Sequence, residues 1–173
     1  MEVKSQTKKI VACAMFTALS AVATMVIQIP LPMSGYANLG DAFVLLGALL
    51  LGPLYGAIAG GLGPALADLL TGYAIYAPAT LIIKAGMAIV VYFVYYSIKK
   101  AFNKELLGVI IGSVLAELLM VAGYFLHACL LMGEGMSALL SVPGNLMQGL
   151  VGVIAATLLF VLIKKTKLFG LGE

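Results

Sequence analysis

Asp68, Lys84, His127, Asn145 and Gln148 are set in long apolar stretches, and their types bound the chemistry open to this chain. A carboxylate, an ammonium, an imidazole and two amides can hold a hydrogen-bonding solute, close an ion pair or pass a proton. The patterns that accompany covalent chemistry are missing. No Gly-x-x-x-x-Gly-Lys-Ser/Thr loop occurs, so the chain does not itself spend ATP by that route, and neither His-Glu-x-x-His nor Gly-x-Ser-x-Gly is present. A single His in 173 residues leaves few options for a metal site. The acidic residues are scattered along the chain rather than paired as a metal-phosphate centre wants. No metal, no cofactor and no catalytic residue is expected, and the chain reads as a binding or transport protein rather than an enzyme.

The composition names the elements that must position these residues. The chain is 63% hydrophobic and 10% charged, whereas soluble domains are about half apolar and a quarter charged. Its solvent is the bilayer. At roughly 20 apolar residues per helical span, the length predicts one all-α domain over residues 1–173, a compact bundle of six transmembrane helices. The first span runs from Ile10 to Ile29 and stops at Pro30 and Pro32, and a polar loop from Met33 to Leu39 follows. A short second span, Gly40 to Leu51, turns at Gly52-Pro53 into a third from Leu54 to Leu70, where Gly60, Gly61, Gly63 and Pro64 predict a kink. After an outer loop from Thr71 to Ala77, Pro78 opens a fourth span to Ile98. The basic connector Lys99, Lys100, Asn103, Lys104 leads to a fifth span, Leu106 to Leu131. Gly133 to Ser141 reads as loop or short surface helix, and Pro143 opens the last span, which ends at Lys164 and Lys165. No strand alternation stands out. The small-residue pairs Gly52/Gly56, Gly56/Gly60 and Gly108/Gly112 suit close helix packing.

All ten basic residues are Lys. With both termini cytoplasmic, Lys4, Lys8, Lys9, Lys99, Lys100, Lys104, Lys164, Lys165 and Lys167 fall inside and the outer loops hold none, which is the topology signal of a multi-pass cell-membrane protein rather than a nucleic-acid patch. Cys13 and Cys129 then lie on opposite sides of the bilayer, too far apart for a disulfide. The basic start and Ala21-Val22-Ala23 resemble a cleavable signal, but the apolar stretch runs on to Ile29 and favours a retained helix.

In this frame Lys84, six residues past Pro78, lies about 9 Å below the outer end of its helix at 1.5 Å per residue, and Asp68, His127, Asn145 and Gln148 lie within about 3 to 9 Å of the same surface. A charge in hydrocarbon costs at least about 2.5 kcal/mol, so such groups face a cavity or one another. An outward polar pocket is predicted, rimmed by Tyr36, Asn38, Asp41, Tyr73 and Tyr76, whose rings can stack on a flat solute. The plainer reading makes Asp68 and Lys84 a structural ion bridge, His127 a helix-end residue, and the tyrosines an interfacial belt. Glu117 stands apart, about 21 Å below the outer end of the fifth span. A bond to a neighbouring helix, a contact with a partner subunit and a proton relay stay open for it.

Several runs carry a family resemblance. Ala14-x-x-x-Ala18 in the first helix, Ala67-Asp68-Leu69-Leu70-Thr71-Gly72-Tyr73, Tyr76-Ala77-Pro78-Ala79-Thr80 with Ile83-Lys84, and Pro143-Gly144-Asn145-Leu146-Met147-Gln148 together resemble the S-components of energy-coupling factor (ECF) transporters, over nearly the whole chain. The resemblance implies a subunit that captures a vitamin from outside and joins a transmembrane coupling protein, the T-component, and two cytoplasmic ATPases, docking through the small face at Ala14 and Ala18. It favours vitamin B6 forms or hydroxymethylpyrimidine, with riboflavin, thiamine, folate and pantothenate open. Two other functions compete: a small membrane enzyme, and a stand-alone channel or carrier with Asp68, Lys84 and Glu117 as its ion path.

Overall fold

Each apolar run becomes a helix, because in hydrocarbon the backbone must satisfy its own hydrogen bonds. The computed structural model describes residues 2–30 and 36–166; Pro32, Met33 and Lys167 lie outside them. It contains α1 (Glu2–Val26), α2 (Gly40–Leu51), α3 (Pro53–Leu70), α4 (Ala77–Phe102), α5 (Glu105–Leu126) and α6 (Val142–Thr166). A π-helical turn, His127–Leu131, and a 3-10 helix, Gly135–Ser141, join α5 to α6. The expected first span is shifted: α1 starts near the N-terminus and ends at Val26, and the residues before Pro30 form a strand instead. β1 (Gln28–Pro30) pairs antiparallel with β2 (Tyr36–Asn38), Ile29 opposite Ala37. The absence of strands expected from the sequence is thus corrected by a ribbon too short, and too close to prolines, to show a period of two. α4 also runs a full turn past Ile98, so that Lys99 and Lys100 belong to its last turn and Asn103 closes it in the left-handed conformation, φ 53°. The α3 helix is continuous through Pro64.

Four helices, α1, α4, α5 and α6, are long and apolar enough to cross a membrane by themselves. α2 is different. Its 12 residues rise only about 18 Å, short of the roughly 30 Å hydrocarbon core, and it sits inside the bundle with Val44, Leu45, Ala48 and Leu49 packed among Met87 and Val91 of α4, Val109, Ala116 and Met120 of α5, and Ala156 and Phe160 of α6. Gly52, at φ 84°, turns the chain from α2 into α3. The expected small-residue packing is present at Gly56, Gly60, Gly108 and Gly112 but not at Gly52, where an added Cβ would meet nothing within 4 Å and which serves the turn: a Cβ on Gly108 or Gly112 would stand 2.9 Å from the carbonyl oxygens of Tyr95 and Val91, so α5 rests on the α4 backbone. α1 packs through Cys13, Phe16 and Ser20, while Ala14, Met15, Ala18 and Leu19 face outward. Exposed Leu and Ile side chains such as Leu54, Ile82 and Leu158 are the lipid-facing surface that a membrane bundle needs.

Candidate ligand-binding site

The β ribbon lies over the outer end of the bundle because three side-chain bonds tie it there. Gln28 Nε2 donates to Thr71 Oγ1 at 3.2 Å, at the end of α3. Tyr36 donates its hydroxyl proton to Asp68 Oδ1 at 2.6 Å. The Asn38 backbone N–H donates to Gln148 Oε1 of α6 at 2.9 Å. Burial, reinforced by the Asp68 carboxylate it faces, pushes the Tyr36 phenol above its usual range, so this hydroxyl stays a donor.

Beneath the ribbon is a polar cavity lined by Tyr36, Asn38, Asp68, Tyr76, Thr80, Tyr124, Ala128, Glu134, Ser141 and Asn145. Its outline, counting the open mouth, holds about 490 Å³ of non-atom space. Its unobstructed part is far smaller, so in this conformation side chains fill much of the outline. Tyr36, Asn38, Asp68, Tyr76 and Asn145, five of the residues singled out from sequence, therefore line one space. Tyr73 stands next to it: its ring packs on Tyr36 at 4.6 Å and on Tyr76 at 6.4 Å, and Tyr76 in turn meets His127 at 5.4 Å, giving a continuous wall of four rings. His127 belongs to that wall, in the π-helical turn, rather than to the cavity lining.

Lys84, Asp41 and Gln148 lie one layer deeper. Lys84 pairs with Asp41 Oδ1, the two side chains being 1% and 0% exposed, and Gln148 Nε2 donates to Asp41 Oδ2 at 2.6 Å. This overturns two expectations. Asp41 is not a rim residue, since in the first turn of α2 it is fully buried against Lys84 and Gln148; and Lys84 does not bridge to Asp68, whose Oδ1 is bonded to Tyr36. Glu117 also moves. Its side chain fills the space left by Gly149 and Gly152 of α6, where an added Cβ would come within 3.0 and 2.5 Å of it, and Asp41 adjoins the same point. Glu117 therefore does not stand apart: it adjoins Asp41, which pairs with Lys84. The site thus has two storeys, a cavity of hydroxyls, amides and two carboxyls above a closed ionic junction of α2, α4, α5 and α6. Tyr124, which lines the cavity, has its ring centroid 5.5 Å from Lys84 Nζ and so touches both levels.

Thr80, Tyr124, Glu134 and Ser141 were not picked out from the sequence. Tyr124 lies three residues before His127 and Thr80 four before Lys84, the spacings that put residues on one helix face, so this periodicity could have found both. Ser141 and Glu134 come from the irregular segment between helices, where no period exists. Among the described residues no group of three or more His, Cys, Asp or Glu is arranged to hold a metal ion.

The fold and site define a class: a small polytopic helical membrane protein with an outward polar pocket. The chain matches the family model of the ECF-type riboflavin transporter S component over residues 4–165, and it belongs to the S components of ECF transporters. It is 30% identical over 161 residues, 92% of this chain and 89% of the relative, to the thiamine precursor transporter HmpT of Lactococcus lactis subsp. cremoris. It is 37% identical over 148 residues, 83% of this chain and 93% of the relative, to an uncharacterized protein of Pyrococcus woesei. A solved structure described as that of the S component of a bacterial ECF transporter matches with a TM-score of 0.70 at 22% identity, covering 93% of this chain and 98% of that one; this likeness is one of fold. The family consists of multi-pass membrane subunits that bind a vitamin or its precursor, are not enzymes, and work with a T component and ATPases.

Proposed function

We propose that this chain captures a small, single-ring vitamin or vitamin precursor from the outer side of the membrane, hydroxymethylpyrimidine or a vitamin B6 form, for ATP-driven uptake by a T component and two ATPases. One observation carries the reading: five hydroxyl groups, two amides and two carboxyls converge on a narrow cavity walled by tyrosine rings. Such a lining suits a flat, hydroxylated heterocycle that stacks on a ring and takes hydrogen bonds at its edge. The similarity to a thiamine precursor transporter supports the pyrimidine. Riboflavin is the second reading, favoured by the description of the matching family model; its three fused rings and polyol chain would need the cavity to open much further. The direct test is mass spectrometry of molecules released from the purified, detergent-solubilised protein, followed by calorimetric titration. Recovery and tight binding of riboflavin, with no binding of either single-ring class, would reject the proposal.

Docking of the T component belongs to the same proposal. Ala14 and Ala18 lie exposed on α1, turned away from the Cys13, Phe16 and Ser20 face that packs on the bundle, and small side chains let a partner helix approach closely. Ala14→Trp is expected to abolish uptake in cells that supply the coupling proteins while leaving calorimetric affinity unchanged. Normal uptake by a well-expressed Ala14→Trp variant would remove the docking assignment.

A further inference from the structure

Charge within and beneath the cavity is lopsided. Asp68 and Glu134 line it, Asp41 and Glu117 lie under it, and among the described residues the lysine that reaches the Asp68, Asp41 and Glu117 level is Lys84, already paired with Asp41. His127, behind the Tyr76 ring, is the nearest other group able to carry a positive charge, and it adjoins Glu134. Asp68 adds a separate observation. Its side chain is 4% exposed, Oδ1 accepts the Tyr36 hydroxyl, and Oδ2 is buried without a hydrogen-bond partner on a residue that lines the cavity. A carboxylate oxygen accepts hydrogen bonds, and the Tyr36 donation to Oδ1 leaves Oδ2 as the acceptor turned to the cavity. A buried acceptor left open next to a ligand cavity calls for a donor on the ligand.

We infer that the site selects a neutral or cationic heterocycle presenting an N–H donor edge to Asp68 Oδ2, and that it discriminates against vitamins carrying a carboxylate or phosphate. The inference rests on the proposed binding role of this cavity and adds to it the charge class of the ligand. A 4-aminopyrimidine meets the requirement directly, its exocyclic amino group donating to Oδ2 while its ring stacks on the tyrosine wall. A pyridine bearing an aminomethyl group meets it as an ammonium. A carboxylate at the same place would face the Asp68 carboxyl, and the lysine beneath, Lys84, is already paired with Asp41.

The test is calorimetric titration of the full-length, ligand-free protein with matched probes. 4-Amino-5-hydroxymethyl-2-methylpyrimidine is compared with its 4-oxo analogue, and pyridoxamine with 4-pyridoxate; thiamine and pantothenate serve as a cation and an anion of other shapes. The amino member of each single-ring pair is expected to bind at least about tenfold tighter than its partner, the discrimination typical of a site whose buried polar group is left unpaired. Asp68→Asn replaces one carboxylate oxygen by an amide donor and is expected to weaken the aminopyrimidine about tenfold or more while holding or improving the 4-oxo analogue. Two results would overturn the inference: 4-pyridoxate or pantothenate binding as tightly as the amines, or a folded Asp68→Asn protein with wild-type affinity and the wild-type preference. The wild-type probe panel decides the matter even if Asp68→Asn does not fold. Failure of the ring-size proposal is recognisable separately: thiamine would bind, pantothenate and all four single-ring probes would not, and the charge assignment would stand.

Discussion

Two lysine–carboxylate contacts lie at opposite ends of this bundle and do different things. At the cytoplasmic edge Glu105 takes Lys99, at 2.5 Å, and Lys164, with the lysines 42% and 44% exposed. Beneath the outer cavity Lys84 meets Asp41 with both side chains essentially sealed, and Gln148 and Glu117 complete the junction. The exposed network joins the ends of α4, α5 and α6, which short connections and apolar packing already hold together; in high dielectric such pairs are worth about 0–1 kcal/mol each. The buried junction ties α2 to α4 and α6, and through Gln148 it reaches the Asn38 backbone. Taking charges out of water costs several kcal/mol per ion, so a buried pair adds little net stability, but breaking one side of it leaves the other charge uncompensated. Identical chemistry therefore acts as a fringe at one end and as a structural determinant of the binding site at the other.

The contrast can be broken from its strong side first. Lys84→Met leaves Asp41 without its cation beside Glu117, and the expected loss is about 3–5 kcal/mol, read as loss of monodisperse protein and a lower unfolding midpoint in detergent. Pairing it with Asp41→Leu removes the stranded charge and should recover much of that loss. A single Lys84→Met variant as stable as wild type would mean that the junction is not an obligatory pair. Gln148→Ala comes next: it removes the donor to Asp41 Oδ2 and the acceptor for the Asn38 N–H, with an expected cost of about 1–3 kcal/mol, and it should weaken ligand binding because β2 loses its tie to α6. Unchanged stability and unchanged affinity together would show that water replaces both bonds. Smallest is Glu105→Gln, expected to shift stability by no more than about 1 kcal/mol, and less in high salt. A loss as large as that of Lys84→Met would erase the distinction between the two ends.

Those two ends were not equally legible in the sequence. The cytoplasmic edge could be read from Lys99, Lys100, Lys104, Lys164 and Lys165 alone, because positive charge collects at span ends regardless of tertiary detail. Helices were legible for a similar reason: an apolar run in lipid has few alternatives to a helix, and α2 begins and ends where Gly40 and Gly52 punctuate it. The outer site was legible only by depth. Counting residues from the helix ends gathered Asp68, Lys84, Asn145 and Gln148 into one band, but the ends are placed only to within a turn, roughly 5 Å, so the count could not separate Asp68 and Asn145 in the cavity from Lys84 and Gln148 beneath it. Asp41 was misread because it follows a loop in sequence yet opens a helix buried on every side. Glu117 was set apart because a count along α5 alone does not show that Gly149 and Gly152 of α6 leave room for its side chain beside Asp41.

The shortness of α2 bears on how this protein is made. A 12-residue helix cannot cross the bilayer alone, and α3, with its glycines and Pro64, is not among the four helices apolar and long enough to do so. α2 in particular depends on its neighbours for its place in the bilayer. The tight turn at Gly52, and the close seat of Gly56 against Ala48, where an added Cβ would meet the Ala48 backbone at 2.5 Å, make the two a single wedge. Both α1 and α4 pack on that wedge. Its insertion is therefore expected to depend on theirs, with the segment between them entering as their joint passenger and bringing Asp41 to the lysine that neutralises it; protease protection of chains truncated before α4 would check this.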